Sequence, residues 1–140
     1  MAAEGAPNRP GHPSPEIESL SYVDNTGLLS VVVQQSEGTA LVVHVAGELD
    51  MLTGPPLQDH LSELLATRPD RLIIDLSQVS FMASSGLSVL ICTRHAAAEQ
   101  GTTLQLRGTS RRAVALPLEI TGLNHLFEIV PVPFTGGEQH

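Results

Sequence analysis

Leu29–Gln35 (LSVVVQQ) and Ala40–Leu49 (ALVVHVAGEL) are Val-rich, strand-length runs. Ser36-Glu37-Gly38-Thr39 between them carries turn chemistry, so the pair predicts an antiparallel hairpin. After Gly47-Glu48-Leu49-Asp50 the period changes. Leu57, Leu61, Leu64 and Leu65 stand at i, i+4, i+7 and i+8, which is one helical stripe. Thr53 is placed to cap that helix, and Pro55 and Pro56 fall in its first turn, where missing N–H groups cost little. Thr67-Arg68-Pro69-Asp70 ends it. Leu72–Leu76 is a short apolar run suited to a strand covered on both faces. A second helix is expected over 85–99, with Leu87, Leu90, Ile91, Arg94 and Ala98 on one face and Gly101 at its end. Thr103–Arg107 alternates as a strand. A third helix runs from a Ser110 cap to about Ile120, with Pro117 inside it as a weak point and Gly122 after it. Leu126–Val130 is a last short strand, and Pro131 and Pro133 stop further regularity. The order β-β-α-β-α-β-α-β predicts an α/β domain: a mixed, mostly parallel sheet of four to five strands packed by three or more helices.

The chain has 140 residues, enough for one domain with tails. Residues 1–27 hold little to bury and are expected to be a disordered tail. The domain is expected over 28–133, with a flexible C-terminal tail over 134–140. Hydrophobic residues make up 41% and aromatic ones 3%, so the core must be aliphatic. The net charge is −8 and every basic residue is Arg. An acidic chain without a basic stripe argues against nucleic-acid binding. No segment approaches the ~20 apolar residues a membrane span needs, and no signal peptide is evident. A cytoplasmic protein is expected. The single Cys92 cannot close an internal disulfide and reads as a small buried thiol.

The strand at Leu72–Leu76 leads through Phe81-Met82 to Ser84-Ser85-Gly86, and the second helix follows at once. Two hydroxyls therefore stand at a strand-to-helix junction, where free N–H groups favour negative charge. This is a seat for a phosphoserine. Ser is also a preferred helix cap, which accounts for one of the two, and Ser85 is assigned to it. Gly86 permits close approach of a partner or a strand.

Three segments together resemble the STAS domain, and within it the bacterial anti-sigma factor antagonists. They are Gly47-Glu48-Leu49-Asp50 with Thr53, then Leu72–Leu76 with Phe81-Met82-Ala83-Ser84-Ser85-Gly86-Leu87, then Leu118-Glu119-Ile120-Thr121-Gly122-Leu123. The resemblance spans about residues 29–132. It implies that a partner anti-sigma factor, a GHKL-type serine kinase, phosphorylates Ser84. The unmodified protein binds that kinase and releases a sigma factor; a PPM-type phosphatase resets the modified form. The family usually has Asp before the phosphoacceptor, where this chain has Ala83. The expected partner-binding surface is Asp50, Thr53, Met82, Ala83, Ser84, Ser85, Gly86, Leu87 and Ser88, with Asp50 and Thr53 added by family analogy.

Phosphate brings roughly −1.5 to −2 charges at pH 7. A helix N-terminus tolerates this in the free domain, whereas a packed interface must desolvate it. Asp50 is an interface acid or a turn residue, and Asp75 reads as capping a strand end. His44 is a satisfied or an edge residue. The six histidines show no H-x-x-x-H or H-E-x-x-H spacing, so no metal is expected. Ala83-Ser84-Ser85-Gly86 lacks the first glycine of G-x-S-x-G, and a chain without Lys can form neither a P-loop nor a receiver's phosphoaspartate pocket. No enzymatic activity and no cofactor are expected. The competing function is a phosphorylation-independent STAS scaffold or nucleotide-sensing module. The chain is expected to be a monomer, or a weak dimer through an edge strand.

Overall fold

A computed structural model describes residues 19–23, 28–36 and 38–132. The elements are β1 (Ser19–Val23), β2 (Leu29–Gln35), β3 (Ala40–Leu49), α1 (Gly54–Ala66), β4 (Arg71–Met82), α2 (Ser84–Gln100), β5 (Thr103–Arg107), α3 (Arg112–Thr121), a short 3-10 turn (Leu123–His125) and β6 (Glu128–Ile129). All six strands lie in one sheet in chain order, β1-β2-β3-β4-β5-β6. The first two pairings are antiparallel and the remaining three parallel. This is the mixed α/β sheet with three helices that the pattern predicts, from Leu29 onward.

The sixth strand is the correction. β1 lies inside the segment expected to be a tail, and it pairs with β2 from Ser19↔Gln34 to Val23↔Ser30. Pairing to the free edge of β2 supplies backbone hydrogen bonds that side-chain composition does not reveal. The rest of 1–27, the expected tail over 134–140, Glu37 and Pro133 lie outside the described residues.

The core follows the periodicities. Leu29, Val31 and Val33 alternate inward on β2, as do Val43 and Val45 on β3. Leu57, Leu61, Leu64 and Leu65 of α1 close over them, joined by Leu87 and Leu90 of α2 and Val114 and Leu118 of α3. Leu72 through Leu76 are all buried, which befits a central strand. β4 runs on to Met82, well past the apolar run, and its register slips twice against β3, between His44 and Ala46 and between Gly47 and Glu48. Gly47 takes φ +118, and a Cβ there would strike the carbonyl oxygen of Leu28.

Asp75 does not cap a strand end. It is buried in mid-strand, where Oδ2 accepts from Arg107 Nε at 2.9 Å and Oδ1 accepts from the hydroxyl and amide of Ser77 at 2.7 and 2.9 Å. His44 Nδ1 lies 3.5 Å from the same carboxylate, and its Nε2 lies 3.0 Å from Gln34 Oε1. His44 is thus satisfied. Burial pushes the Asp75 carboxyl up, but the Ser77 and Arg107 hydrogen bonds and the Arg107 charge outweigh it and hold the group below its ordinary value. Gly108, at φ +72, lies so close that a Cβ would come 2.6 Å from Ser77 N.

The α3 cap is also displaced. Arg111, not Ser110, holds the N-cap position, without a side-chain cap bond. Pro117 is accommodated within the helix, whose last turn is secured by Thr121 Oγ1 donating to Pro117 O at 2.7 Å.

Candidate functional site at the N-terminus of α2

The site stands at the carboxyl ends of the parallel strands β3 and β4, where open α/β sheets place their binding sites. Ala83 N donates to Leu49 O at 2.8 Å, which ties the two strand ends together. α2 begins at once: Gly86 and Leu87 amides donate back to Ala83 O at 2.9 and 3.3 Å. Ala83 is therefore the N-cap residue, extended at φ −90 and ψ 178, and it offers no side-chain acceptor. This corrects the expectation for Ser85, which is the second helical residue. Its Oγ is buried and has no hydrogen-bond partner.

Ser84 is the first residue of α2 and is exposed. The first amides of the helix have no intrahelical acceptor, so its hydroxyl stands in a field that favours an anion. Ser88 is exposed one turn further on. Gly86 is buried because α2 starts hard against the strands. A Cβ there would come 2.9 Å from Leu49 Cβ and 3.0 Å from Met82 Cγ, so the close approach it allows is to the sheet.

Asp50 and Thr53 build the neighbouring turn. Asp50 Oδ1 accepts from the Leu52 and Thr53 amides at 2.9 and 3.1 Å. Thr53 Oγ1 donates to Glu48 O at 2.7 Å and accepts from Asp50 N at 3.0 Å. Thr53 has no exposed surface, and its hydroxyl makes no cap bond. Its role is to hold the turn. Met82, Gly86 and Leu87 are likewise buried. Among the expected partner-binding residues, Ser84 and Ser88 are exposed, Asp50, Ala83 and Ser85 are half-buried, and the rest brace them from beneath.

Sequence reasoning missed what the turn displays. Met51 is 80% exposed and Leu52 64%. A groove of about 500 Å³ runs between α1 and α2, lined by Met51, Gly54, Pro55, Gln58, Asp59, Ser85, Ser88 and Val89. The available signal was two apolar residues inside a turn held by Asp50. Cys92 corrects another expectation: it is exposed, because the buried stripe of α2 runs through Gly86, Leu87, Val89, Leu90, Thr93 and Ala97. Among the described residues no group of His, Cys, Asp and Glu is arranged to hold a metal, and no helix is long and apolar enough to cross a membrane.

Comparison with known proteins places this architecture. The family model described as "Mlab, STAS domain" matches residues 32–131. The anti-sigma-F factor antagonist RsfB of Mycobacterium tuberculosis is 31% identical over 102 residues, covering 72% of this chain and 80% of that protein. The anti-sigma-B factor antagonist of Bacillus subtilis is 37% identical over 101 residues, covering 72% and 90%. The crystal structure of an anti-sigma factor antagonist from Mycobacterium paratuberculosis superposes with a TM-score of 0.64 at 33% identity, covering 74% of this chain and 86% of that one. The chain belongs to the STAS-domain family, among the anti-sigma factor antagonists.

Proposed function

We propose that this protein binds an anti-sigma factor of the GHKL serine-kinase class through the surface around Ser84, in the cytoplasm, and so frees a sigma factor. The kinase ends the complex by moving the γ-phosphoryl group of ATP onto Ser84 Oγ. ADP leaves, and the hydroxyl proton passes to a base of the kinase. A PPM-type phosphatase restores the free hydroxyl.

The observation that carries this reading is Ser84 itself, exposed at the first position of α2, whose next residue Ser85 lines a groove with the exposed Met51. Apolar surface at a turn gives a partner something to bury. A phosphoryl group at Ser84 rests on free helix amides in the isolated domain. In a complex it must be desolvated, and no Arg lines the adjoining groove to receive it. The penalty therefore falls on the complex. Asp59 at the groove adds to it by like charge.

Intact mass of the protein from its native cells, with and without phosphatase treatment, tests the switch. A phosphatase-sensitive mass on Ser84 is expected, with Ser84→Asp weakening kinase binding at least tenfold, or about 1.4 kcal/mol. A Ser84 that stays unmodified in growth and in stress overturns it. The second reading, a phosphorylation-independent or nucleotide-sensing module, is favoured by Ala83, which replaces the family's Asp and provides no carboxylate to orient the Ser84 hydroxyl. Protection of the 84–87 amides by nucleotide in hydrogen exchange supports that module.

A further inference from the structure

A second apolar face lies on the other flank of β4. The outer side of α3 presents Arg112, Leu116 and Ile120 one turn apart, opposite the buried Val114 and Leu118. Ile120 is 75% exposed, and Phe81, at the end of β4, is 51% exposed. Between them a groove of about 360 Å³ is lined by Ser80, Phe81, Met82, Arg112, Ala113, Leu116 and Pro117. Two large apolar side chains on one helix face are not needed by the core, which α3 reaches with its opposite side.

The charge of this face runs against that of the chain. Net charge is −8, yet Arg111 and Arg112 stand at the N-terminal end of α3. Arg111 Nη1 donates to the carbonyls of Ser77 and Val79 at 3.2 and 3.5 Å, which fixes the guanidinium beside the groove and leaves its charge unneutralised. Among the described residues neither arginine pairs with a carboxylate. The one carboxylate of α3, Glu119, stands two turns from Arg112, at the far end. The face is thus apolar in the middle, basic at the N-terminal end of α3 and acidic at the other. The positive end of the helix dipole reinforces the basic end.

We propose that this face docks an amphipathic segment of the anti-sigma factor that carries carboxylates at one end of an apolar stripe. The carboxylates meet Arg111 and Arg112, and the apolar side chains enter the groove between Phe81 and Leu116. The identity of the partner rests on the function proposed above; the chemistry of the segment rests on the face alone. Met82 floors this groove and lies two residues before Ser84, so one partner can span both contacts. Phosphorylation then removes the Ser84 contact, on which the complex depends, without altering this face itself.

The test is a titration of the full-length, isotope-labelled chain with a synthetic helical peptide bearing Leu at i and i+4 and Glu at one end, followed by amide NMR. Shifts are expected to gather at Phe81, Arg112, Leu116 and Ile120. Arg112→Glu and Leu116→Glu, both at exposed positions, should weaken binding at least tenfold with the remaining spectrum unchanged, and Ser84→Asp should leave it unaltered. Absence of shifts, equal binding of the same peptide with Lys for Glu, or shifts gathered around Met51 and Ser84 overturns the proposal. The two readings fail separately. A chain that binds the peptide but takes no phosphate keeps the docking face and loses the switch. A chain phosphorylated on Ser84 that shows no shift on α3 keeps the switch and loses the docking face.

Discussion

Gly86 shows how one hydrogen atom sets the position of Ser84. With any side chain at 86, the start of α2 would have to lift away from Leu49 and Met82, whose side-chain atoms lie 2.9 and 3.0 Å from where a Cβ would stand. Gly86→Ala gains up to about 1 kcal/mol of helix propensity. It loses about 1–3 kcal/mol to overpacking, since both neighbours are buried core atoms with nowhere to go. The expected outcome is a net destabilisation of about 1 kcal/mol in chemical denaturation, together with weaker binding of the proposed anti-sigma factor partner as Ser84 moves outward. A variant as stable as the parent, with unchanged binding, contradicts this account of the junction. Asp50 works the same way from the other side of the groove. Of the two roles open to it, the turn role is visible in its bonds to the Leu52 and Thr53 amides.

At the scale of elements, the Asp75–Arg107 pair ties β4 to β5 and, through His44 and Gln34, reaches β3 and β2. Both partners are largely buried; Arg107→Met removes the guanidinium but leaves Asp75 its two Ser77 hydrogen bonds, so it should cost about 1–3 kcal/mol at neutral pH. The pH dependence has a definite sign. The folded Asp75 carboxyl is held below its ordinary value, so its contribution is complete above the unfolded carboxylate range, near pH 4. It is lost as pH falls through the folded value. The stability gap between parent and Arg107→Met should therefore be widest near neutrality and shrink in acid; a gap that stays constant from about pH 7 down to about pH 3 rules this out. This network was not legible in the sequence. Asp75 sits at the end of the apolar stretch Leu72–Ile74, and only the parallel register Asp75↔Arg107 brings its partner from 32 residues away. The strands from β2 onward and α1 were legible, because period-2 and i, i+4, i+7 patterns are local. The caps at Thr53, Gly101 and Gly122 were read in place, but the N-caps of α2 and α3 were not. Ser85 and Ser110 have the right chemistry for caps, but helix starts are set here by where the strands end, and Ala83 and Arg111 occupy those positions. The Ser84 junction was legible as an exposed hydroxyl between strand and helix, while the α1–α2 groove was not, since it depends on how two helices pack.

For the molecule as a whole, the sheet has two edges, and they are managed differently. The β6 edge is only two residues long, Glu128–Ile129, which leaves little ladder for another chain to extend. Without β1 the opposite edge would be β2, which is seven residues with Val31, Val32 and Val33 in a row. A strand of that length and composition with open N–H and C=O groups is a template for pairing between copies. β1 covers it along five residues, Ser19 to Val23, so the segment before the domain, which resembles a tail in composition, finishes the sheet. Removing residues 1–27 should expose β2 over its full length. Sedimentation of the truncated protein is expected to show concentration-dependent dimers or larger species, and its denaturation midpoint should fall, while removal of residues 1–18 alone should leave both as in the full chain. If the chain lacking 1–27 stays monomeric and equally stable, β1 contributes neither protection nor stability. The two truncations differ by β1 and the short link to Leu28 alone, so the comparison isolates what that strand does for the molecule.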